Sequence, residues 1–404
     1  MKKFAVMGFG TVGSGVCELF EKNKEHIQKK AETELELKYI LDIRDFPGNP
    51  FEDKIVHDIN IILNDPEVAV VAECMGGTHP AFEFVKSCLE HGKSVASSNK
   101  ELVANKGDIL LKIARENHVN FMFEASVGGA IPIIRPLHKC LAANKISKAA
   151  GILNGTTNFV LGKMKDEGMS FNDALKLAQE KGYAEKDPTA DVDGIDACRK
   201  ICILSSLIYG KHVYPESVKT TGIRNITKED VSAADEFGFA VKLIASVQEQ
   251  PDGKILPFVS PELVSYDNLL SHVDGVFNAV MVWGDAIDKT LFYGRGAGKF
   301  PTASAVMGDV INCAQHKNTV LSLEWDSAEN QDFIENFGKL DTMWFLRSEG
   351  GDLNAALEKA GAKVLKYDNS AAIIDSITSD KCDEIIKGIE KNGIKIASKL
   401  PVAK

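Results

Sequence analysis

Over the first 130 residues, short apolar runs alternate with helical periodicity, the pattern of βαβ units feeding a parallel sheet. Phe4–Met7 reads as a strand, Thr11–Ala31 as a helix, and Leu37–Ile43 and Val68–Glu73 as strands. A helix at Pro80–Glu90, a strand at Ser94–Ala96, a helix at Lys106–Glu116 and a strand at Asn120–Glu124 complete a doubly wound sheet. After Pro136 the pattern changes. Helical stretches at Phe171–Lys181 and Ile195–Tyr209 precede extended segments at Phe239–Gln248, Gly253–Val259 and Gly275–Val282, a mixture that predicts an α+β domain with an open sheet. A second glycine-rich loop, Gly294–Pro301, opens a helix at Thr302–His316. From about Lys339, the remaining 66 residues read βαββαβ, with elements at Met343–Arg347, Leu353–Ala360, Lys363–Tyr367, Ala371–Ile377, Lys381–Lys391 and Ile394–Leu400.

Composition narrows the picture. At roughly 100 to 200 residues per domain, 404 residues suggest two or three domains. With 44% hydrophobic and 26% charged residues, disorder is excluded. The chain carries 47 Lys+Arg against 57 Asp+Glu, a net charge of −10, and no basic block; phosphate backbones need clustered positive charge, so nucleic acid is not an expected partner and small molecules are. The longest uncharged stretch, Ala149–Gly162, is interrupted by Asn154, Gly155, Thr156, Thr157 and Asn158, so nothing should span a membrane. The start, Met1–Gly8, lacks a cleavable leader pattern, and a cytoplasmic location is expected. Eight cysteines without a C-x-x-C pair read as buried free thiols.

Gly8-Phe9-Gly10-Thr11-Val12-Gly13 follows the first strand directly and opens a helix, the context that gives a G-x-G-x-x-G string its meaning. Gly8 allows the tight turn, Gly10 lets a pyrophosphate approach the backbone, and Gly13 lets helix and strand pack closely. The helix start adds donors and partial positive charge. The second strand ends Leu41-Asp42-Ile43-Arg44-Asp45. An acid there binds the 2′-hydroxyl of NAD and an arginine accommodates the 2′-phosphate of NADP; the sequence offers both, and Arg44 also reads as a solvated surface residue.

A dehydrogenase of alcohols must manage a proton at oxygen while the nicotinamide carries hydride. Lys100 follows Ser97-Ser98-Asn99 at the carboxyl end of a predicted strand, the side on which doubly wound sheets bind ligands. A second cluster runs from Glu185 to Lys200. On the helix from Ile195, Asp196 and Lys200 stand four residues apart on one face, either as a surface ion pair or, because Ile201-Cys202-Ile203-Leu204 continues a buried helix, as a partly desolvated pair suited to proton transfer.

These stretches together resemble the homoserine dehydrogenases along about 320 residues. The resemblance rests on Gly8–Gly15, Ser98-Asn99-Lys100-Glu101, Glu124-Ala125-Ser126-Val127-Gly128-Gly129, Gly151–Asn158, Gly182–Pro188, Asp193–Lys200 and Gly296-Ala297-Gly298 with Pro301-Thr302. It implies reversible NAD- or NADP-dependent interconversion of L-homoserine and L-aspartate 4-semialdehyde, a step in threonine, methionine and isoleucine formation. It implies that Lys100 and Lys200 handle protons, and that Glu185, Asp191 and Asp196, with Gly155, Thr156 and Tyr183, bind the substrate. Phe9, Thr11, Val12, Gly76, Ser98, Asn99, Lys100, Gly298 and Thr302 join the glycines and Arg44 around the coenzyme. The backbone carbonyls of Glu124, Val127, Gly129 and Ile131 would hold a monovalent cation, Na or K.

The implied architecture is α/β: a Rossmann-like NAD(P)-binding domain at 1–134, completed by about 298–320, an α+β substrate and dimerisation domain at 135–297, and an ACT-like module at 339–404. A homodimer or homotetramer is expected. The module departs from its relatives at Ser348-Glu349-Gly350-Gly351-Asp352, where the Asp-x-Pro-Gly loop that usually contacts an amino-acid effector is missing. Two rival readings are another amino-acid-linked reductase, which leaves the Glu185–Lys200 cluster unexplained, and a silent NAD(P)-binding regulator, against which Lys100, Asp196 and Lys200 speak.

Overall fold

In the computed structural model, residues 2–316, 319–321, 323, 325–368 and 370–403 are described. Met1 and Lys404, at the ends of the first and last expected segments, lie outside them. The chain forms two compact units: Met1–Lys145 with Cys202–Pro215 and Phe292–Glu329, and Ile146–Ile201 with Glu216–Leu291 and Asn330–Lys404.

The first unit begins with β1 (Lys2–Met7), α1 (Thr11–Lys22), α2 (Lys24–Ala31), β2 (Leu35–Leu41), β3 (Ile55–Val56), α3 (Ile59–Leu63), β4 (Val68–Glu73), α4 (Ala81–Glu90), β5 (Ser94–Ser97), α5 (Lys100–Glu116) and β6 (Phe121–Met122). Its sheet runs β3-β2-β1-β4-β5-β6, all parallel. Such sheets bury both faces, and Phe4 to Met7 and Val70 to Ala72 are accordingly inaccessible. Strand order reverses between β1 and β4, the crevice where doubly wound folds bind ligands.

Three of the boundaries that differ from the sequence reading bear on the site, and at two of them a local polar side chain sets the end. The single helix expected at Thr11–Ala31 is two, broken at Asn23, whose φ of −115° and ψ of 21° leave the helical region. Strand β2 stops two residues early because the Asp42 carboxylate accepts the Arg44 amide at 3.0 Å and turns the chain. Helix α5 begins at Lys100, six residues before the expected start, because the Asn99 side chain caps the Leu102 amide.

The second unit contains β7 (Ile146–Ile152), α6 (Gly155–Glu167), α7 (Phe171–Glu180), α8 (Thr189–Val192), α9 (Ile195–Tyr209), β8 (Lys219–Thr220), α10 (Lys228–Glu236), β9 (Phe239–Glu249), β10 (Ile255–Ser265), β11 (Phe277–Gly284) and β12 (Asp288–Arg295). Past Ile201 helix α9 belongs to the first unit, as do the end of β12 and α11 (Lys299–Gln315), which packs against α1, β4 and β5. The open sheet runs β12-β11-β7-β9-β10-β8. Strands β7, β9, β10 and β11 pair antiparallel, and β8 joins β10 in parallel. Strand β10 outruns its expected end at Val259 through Pro261, which pairs with Leu243. Residues Ile255–Val264 are buried without alternation, so no period of two marked the strand.

The tail forms β13 (Asp341–Ser348), α12 (Leu353–Lys359), β14 (Val364–Asp368), β15 (Ala371–Thr378), α13 (Ser379–Lys391) and β16 (Ile396–Pro401). Its antiparallel sheet has the order β14-β15-β13-β16, so that β15 lies between the two strands joined by α12. Trp344, Leu346, Leu353, Leu357, Ile374 and Cys382 share one apolar core with Leu256 and Phe258 of β10.

Candidate active site

The glycine loop behaves as its spacing predicts. Gly8 has a φ of +88°. A Cβ on Gly13 would collide with the Gly8 carbonyl oxygen, so helix and strand approach only through glycine. At Gly10 a Cβ would meet nothing within 4 Å, which leaves the loop open on the ligand side. Gly10 caps α1 without a side chain, so no side-chain cap claims the first-turn amides beside Thr11 and Val12.

Asp42 ties this loop to the end of β2. Its Oδ2 accepts the Phe9 amide at 2.8 Å, and Arg44 clasps both carboxylate oxygens with Nε and Nη2, each at 3.0 Å. Burial alone would raise the Asp42 pKa; Arg44 and the amides of Phe9 and Arg44 outweigh it and hold the group at about 2. The Arg44 guanidinium lies 5.0 Å from the centre of the Phe46 ring, which packs edge-on against Phe9. Both ribose-reading candidates thus belong to one assembly, in which Arg44 is exposed and the Asp42 side chain is largely covered.

The carboxyl ends of β4 and β5 are joined by a residue the sequence reading passed over. Glu73 is fully buried; its Oε1 accepts the Met75 amide at 2.8 Å, and its Oε2 accepts the Ser97 hydroxyl at 2.5 Å. Asn99 donates to Glu73 at 3.5 Å and to the Gly77 carbonyl at 2.7 Å while capping α5. The Ser98 amide bonds the Glu73 carbonyl at 3.0 Å. Lys100 opens α5 directly beyond this knot, and a Cβ on Gly76 would meet nothing within 4 Å.

The loop after β6 turns through Gly128 and Gly129, with φ of +73° and +54°. A Cβ on Gly129 would strike the Gly296 carbonyl at 2.5 Å, and Ala130 donates to the Arg295 carbonyl at 3.1 Å. The Glu124 carboxylate gathers the amides of Ile133, Ile134 and Arg135 at 2.7–2.8 Å. Asp309 of α11 accepts the Glu124 amide at 2.8 Å and Arg135 at 2.6 Å; burial pushes its pKa up to about 7 even though Arg135 pulls the other way. Glu124, Val127, Gly129 and Ile131 are buried residues that follow one another along this loop, and each brings a backbone carbonyl oxygen. Four such oxygens suit a bare monovalent cation. Gly298, at φ +129°, caps α11, and the buried Thr302 donates its amide to the Gly298 carbonyl at 3.0 Å.

The second unit holds the other group. Asp196 and Lys200 form a buried ion pair of 2.7 Å, and Lys200 also donates to the Leu153 carbonyl at 2.6 Å. The exposed alternative is therefore set aside. Asn154 organises the cluster: its Oδ1 caps α6 at the Thr157 amide, and its Nδ2 donates to Asp191 at 2.7 Å and to Asp196 at 2.9 Å. Asp191, Asp196 and Lys200 are thus brought together by a residue absent from the expected site. Its signal was an asparagine between an apolar run and Gly155-Thr156-Thr157, the mark of a helix cap. Thr156 donates its hydroxyl to the Tyr183 carbonyl at 2.5 Å, and a Cβ on Gly155 would press on the Val276 carbonyl at 2.7 Å. Glu185 lies on the exposed turn after α7, and its carbonyl accepts Gln179 at 3.1 Å.

All eight cysteines are free; six are buried as expected, whereas Cys74 is half-buried and Cys140 exposed. Among the described residues no helix is long and apolar enough to cross a membrane.

Comparison with known proteins places the chain. The profile described as "Homoserine dehydrogenase, NAD binding domain" matches residues 8–124, and that described as "Homoserine dehydrogenase" matches residues 132–311. The homoserine dehydrogenase of Synechocystis is 41% identical over 315 residues, 77% of this chain and 72% of that protein. That of Bacillus subtilis is 38% identical over 338 residues, 83% of this chain and 77% of its own. The chain belongs to the homoserine dehydrogenase family. It is an oxidoreductase with a NAD(P)-binding domain. The crystal structure of the homoserine dehydrogenase from Thiobacillus denitrificans superposes with a TM-score of 0.91 at 32% identity, covering 100% of this chain and 98% of that one. A hyperthermophilic archaeal homoserine dehydrogenase, solved in complex with NADPH, matches with a TM-score of 0.65 at 30% identity over 78% of this chain and 98% of its own.

Proposed function

We propose that this chain interconverts L-homoserine and L-aspartate 4-semialdehyde through the buried Asp196–Lys200 pair. That pair is the observation that carries the reading: an ammonium held in a dry site by one carboxylate and one carbonyl is placed to exchange a proton with a substrate oxygen. Lys100 is its partner in proton handling. Asp191, Asp196 and the exposed Glu185 attract the ammonium of an amino-acid substrate, with Gly155, Thr156 and Tyr183 shaping its surroundings. The coenzyme, when bound, takes or gives the hydride. Gly8, Gly10 and Gly13, with Phe9, Thr11 and Val12, cradle its pyrophosphate; Gly76, Ser98, Asn99, Gly298 and Thr302 line the remaining length. Arg44 is already extended as a cation on the Phe46 ring, so it meets the 2′-phosphate of NADP, and Asp42 serves the ribose of NAD when Arg44 turns away. The carbonyls of Glu124, Val127, Gly129 and Ile131 would hold a Na or K ion, whose charge braces the loop.

On this reading residues 1–134 with about 298–320 form the coenzyme domain, 135–297 the substrate and dimerisation domain, and 339–404 an ACT-like module, in a cytoplasmic homodimer or homotetramer. The test is homoserine oxidation followed at the nicotinamide absorbance, with NAD and NADP in parallel. Lys100→Ala and Lys200→Ala should each lower the rate by about 10² to 10⁴ while the coenzyme still binds. Near-normal turnover in either variant removes that lysine from the mechanism. In the same assay Arg44→Ala should weaken NADP more than NAD, and equal losses would return Arg44 to the solvated surface.

A further inference from the structure

We propose that Glu73 couples the redox state of the bound coenzyme to a proton: oxidised coenzyme is held by the ionised carboxylate and drives its proton into solvent, and reduced coenzyme is not. The proposal rests on the dinucleotide site described above.

Three observations lead to it. Glu73 is the last residue of β4, on the far side of the switch point from the glycine loop that follows β1. Dinucleotides straddle that crevice, so the half not held beside β2 crosses to the ends of β4 and β5. Next, the carboxylate is fully buried, and its partners are all neutral: the Met75 amide, the Ser97 hydroxyl and the Asn99 carboxamide. Among the described residues no Lys, Arg or His forms an ion pair with it. Last, the surroundings add little competing charge. Beside it stand the Cys74 thiol, which burial pushes well up, and Lys100 and Glu101 in the first turn of α5. Of the surrounding elements, β1 carries Lys2 and Lys3, α1 Cys17, Glu18, Glu21 and Lys22, α4 Glu83, Lys86, Cys88 and Glu90, and α11 Lys299, Cys313 and Asp309, the last engaged by Arg135 and the Glu124 amide, and among the described residues none of them pairs with Glu73.

Burial raises the Glu73 pKa to about 7, against the opposing hydrogen bonds of Ser97, Met75 and Asn99, so the group titrates where the enzyme works. The oxidised nicotinamide ring carries a positive charge that the reduced ring lacks. In a medium of low dielectric a nearby positive charge favours the carboxylate, so oxidised coenzyme lowers this pKa and reduced coenzyme leaves it high. By linkage, affinity for the oxidised form then rises relative to the reduced form as pH increases through neutrality. A one-unit difference in pKa between the two complexes corresponds to about a tenfold change in that affinity ratio.

The measurement is calorimetric titration of the full chain with NADP⁺ and with NADPH, at pH values from 6 to 8, in two buffers of different ionisation enthalpy. Oxidised coenzyme should release a fraction of a proton that peaks near neutrality, reduced coenzyme should release less, and the affinity ratio should climb roughly tenfold across the range. In Glu73→Gln, which keeps the size and an acceptor for Met75, the ratio should be flat with pH while the reduced form still binds. Equal proton release by the two forms in the natural chain overturns the proposal whether or not the variant folds, as does a difference that survives in Glu73→Gln. Failure of both redox forms to bind the natural chain, with NAD as with NADP, would instead remove the dinucleotide site itself.

Discussion

Replacing Asn154 with alanine tests whether one buried amide holds the proposed proton-handling cluster together. The substitution removes four bonds at once: the acceptor for the Thr157 amide and for its hydroxyl, and the donors to Asp191 and Asp196. A lost N-cap costs about 1 kcal/mol. Withdrawing a donor from a desolvated carboxylate costs a further 1–3 kcal/mol or so. Asp196 keeps Lys200, so the ion pair limits the damage, and a total of roughly 2–4 kcal/mol is expected for a unit of this size, lowering the melting temperature by on the order of 10 °C. Asn154→Asp separates the two roles. A carboxylate still caps α6 but offers no donor, and places a third negative charge beside Asp191 and Asp196. Turnover of the aspartate variant should fall at neutral pH and recover in part as pH is lowered and one carboxyl protonates. Denaturant unfolding and homoserine oxidation read the two effects. If both variants unfold within about 0.5 kcal/mol of the natural chain and turn over normally, the hydrogen bonds drawn to Asn154 do not matter.

Three further substitutions test other positions. Glu262 on β10 is buried, its Oε1 has no partner among the described residues, and burial lifts its pKa to about 8 against the pull of Lys148. A raised carboxyl pKa leaves stability full below the ordinary value of 4.5 and drains it as pH climbs from there to about 8, so the advantage of Glu262→Gln should be smallest below about pH 5, grow through pH 6 and 7, and level off above pH 8; a stability difference that stays constant across that range in denaturant titrations would refute this. In the glycine loop, Gly10→Ala should fold normally yet bind coenzyme poorly, because its Cβ meets no protein atom and enters the ligand's path, whereas Gly13→Ala should destabilise the fold itself. Thermal melts and coenzyme fluorescence separate the two, and equal behaviour would contradict the assignment.

What the sequence made legible was short-range. The glycine loop, β1 and α1 follow one another between Lys2 and Lys22, and the Asp196–Lys200 pair follows from one helical turn. What it hid was long-range or locally ambiguous. Strand β7 is Ile-Ser-Lys-Ala-Ala-Gly-Ile, too poor in bulky β-formers to register, and β12 is largely exposed, so its alternation carries no burial signal. Lys200 meets a carbonyl 47 residues away, which no spacing rule announces. Glu73 read as the polar end of an apolar run, but β5 and the cap of α5 enclose it. Glu124 was expected to offer a carbonyl, and its carboxylate turned out to hold three successive amides, because the chain folds back nine to eleven residues later.

Regulation is where the fold changes the experiment to be done. The turn after β13 lacks the Asp-x-Pro-Gly loop, and its groups are engaged internally: Asp352 caps α12 at the Ala355 amide, Glu349 pairs with Lys395 at 2.7 Å, and Gly351, at φ +79°, lies so close to Ile394 that a Cβ would stand 2.9 Å away. An effector with no contacts to make has no differential affinity to contribute, so millimolar L-threonine should leave turnover of the full chain unchanged. Cutting the chain after Lys339 answers a different question, since Trp344, Leu346 and Leu357 share a core with Leu256 and Phe258 of β10 and removing them exposes that strand. The sound comparison keeps the tail in place: turnover against threonine concentration for the natural chain and for Asp352→Ala, which loosens the start of α12 alone. Saturable inhibition of the natural chain, relieved in the variant, would show that this turn binds an amino acid through groups outside the usual loop.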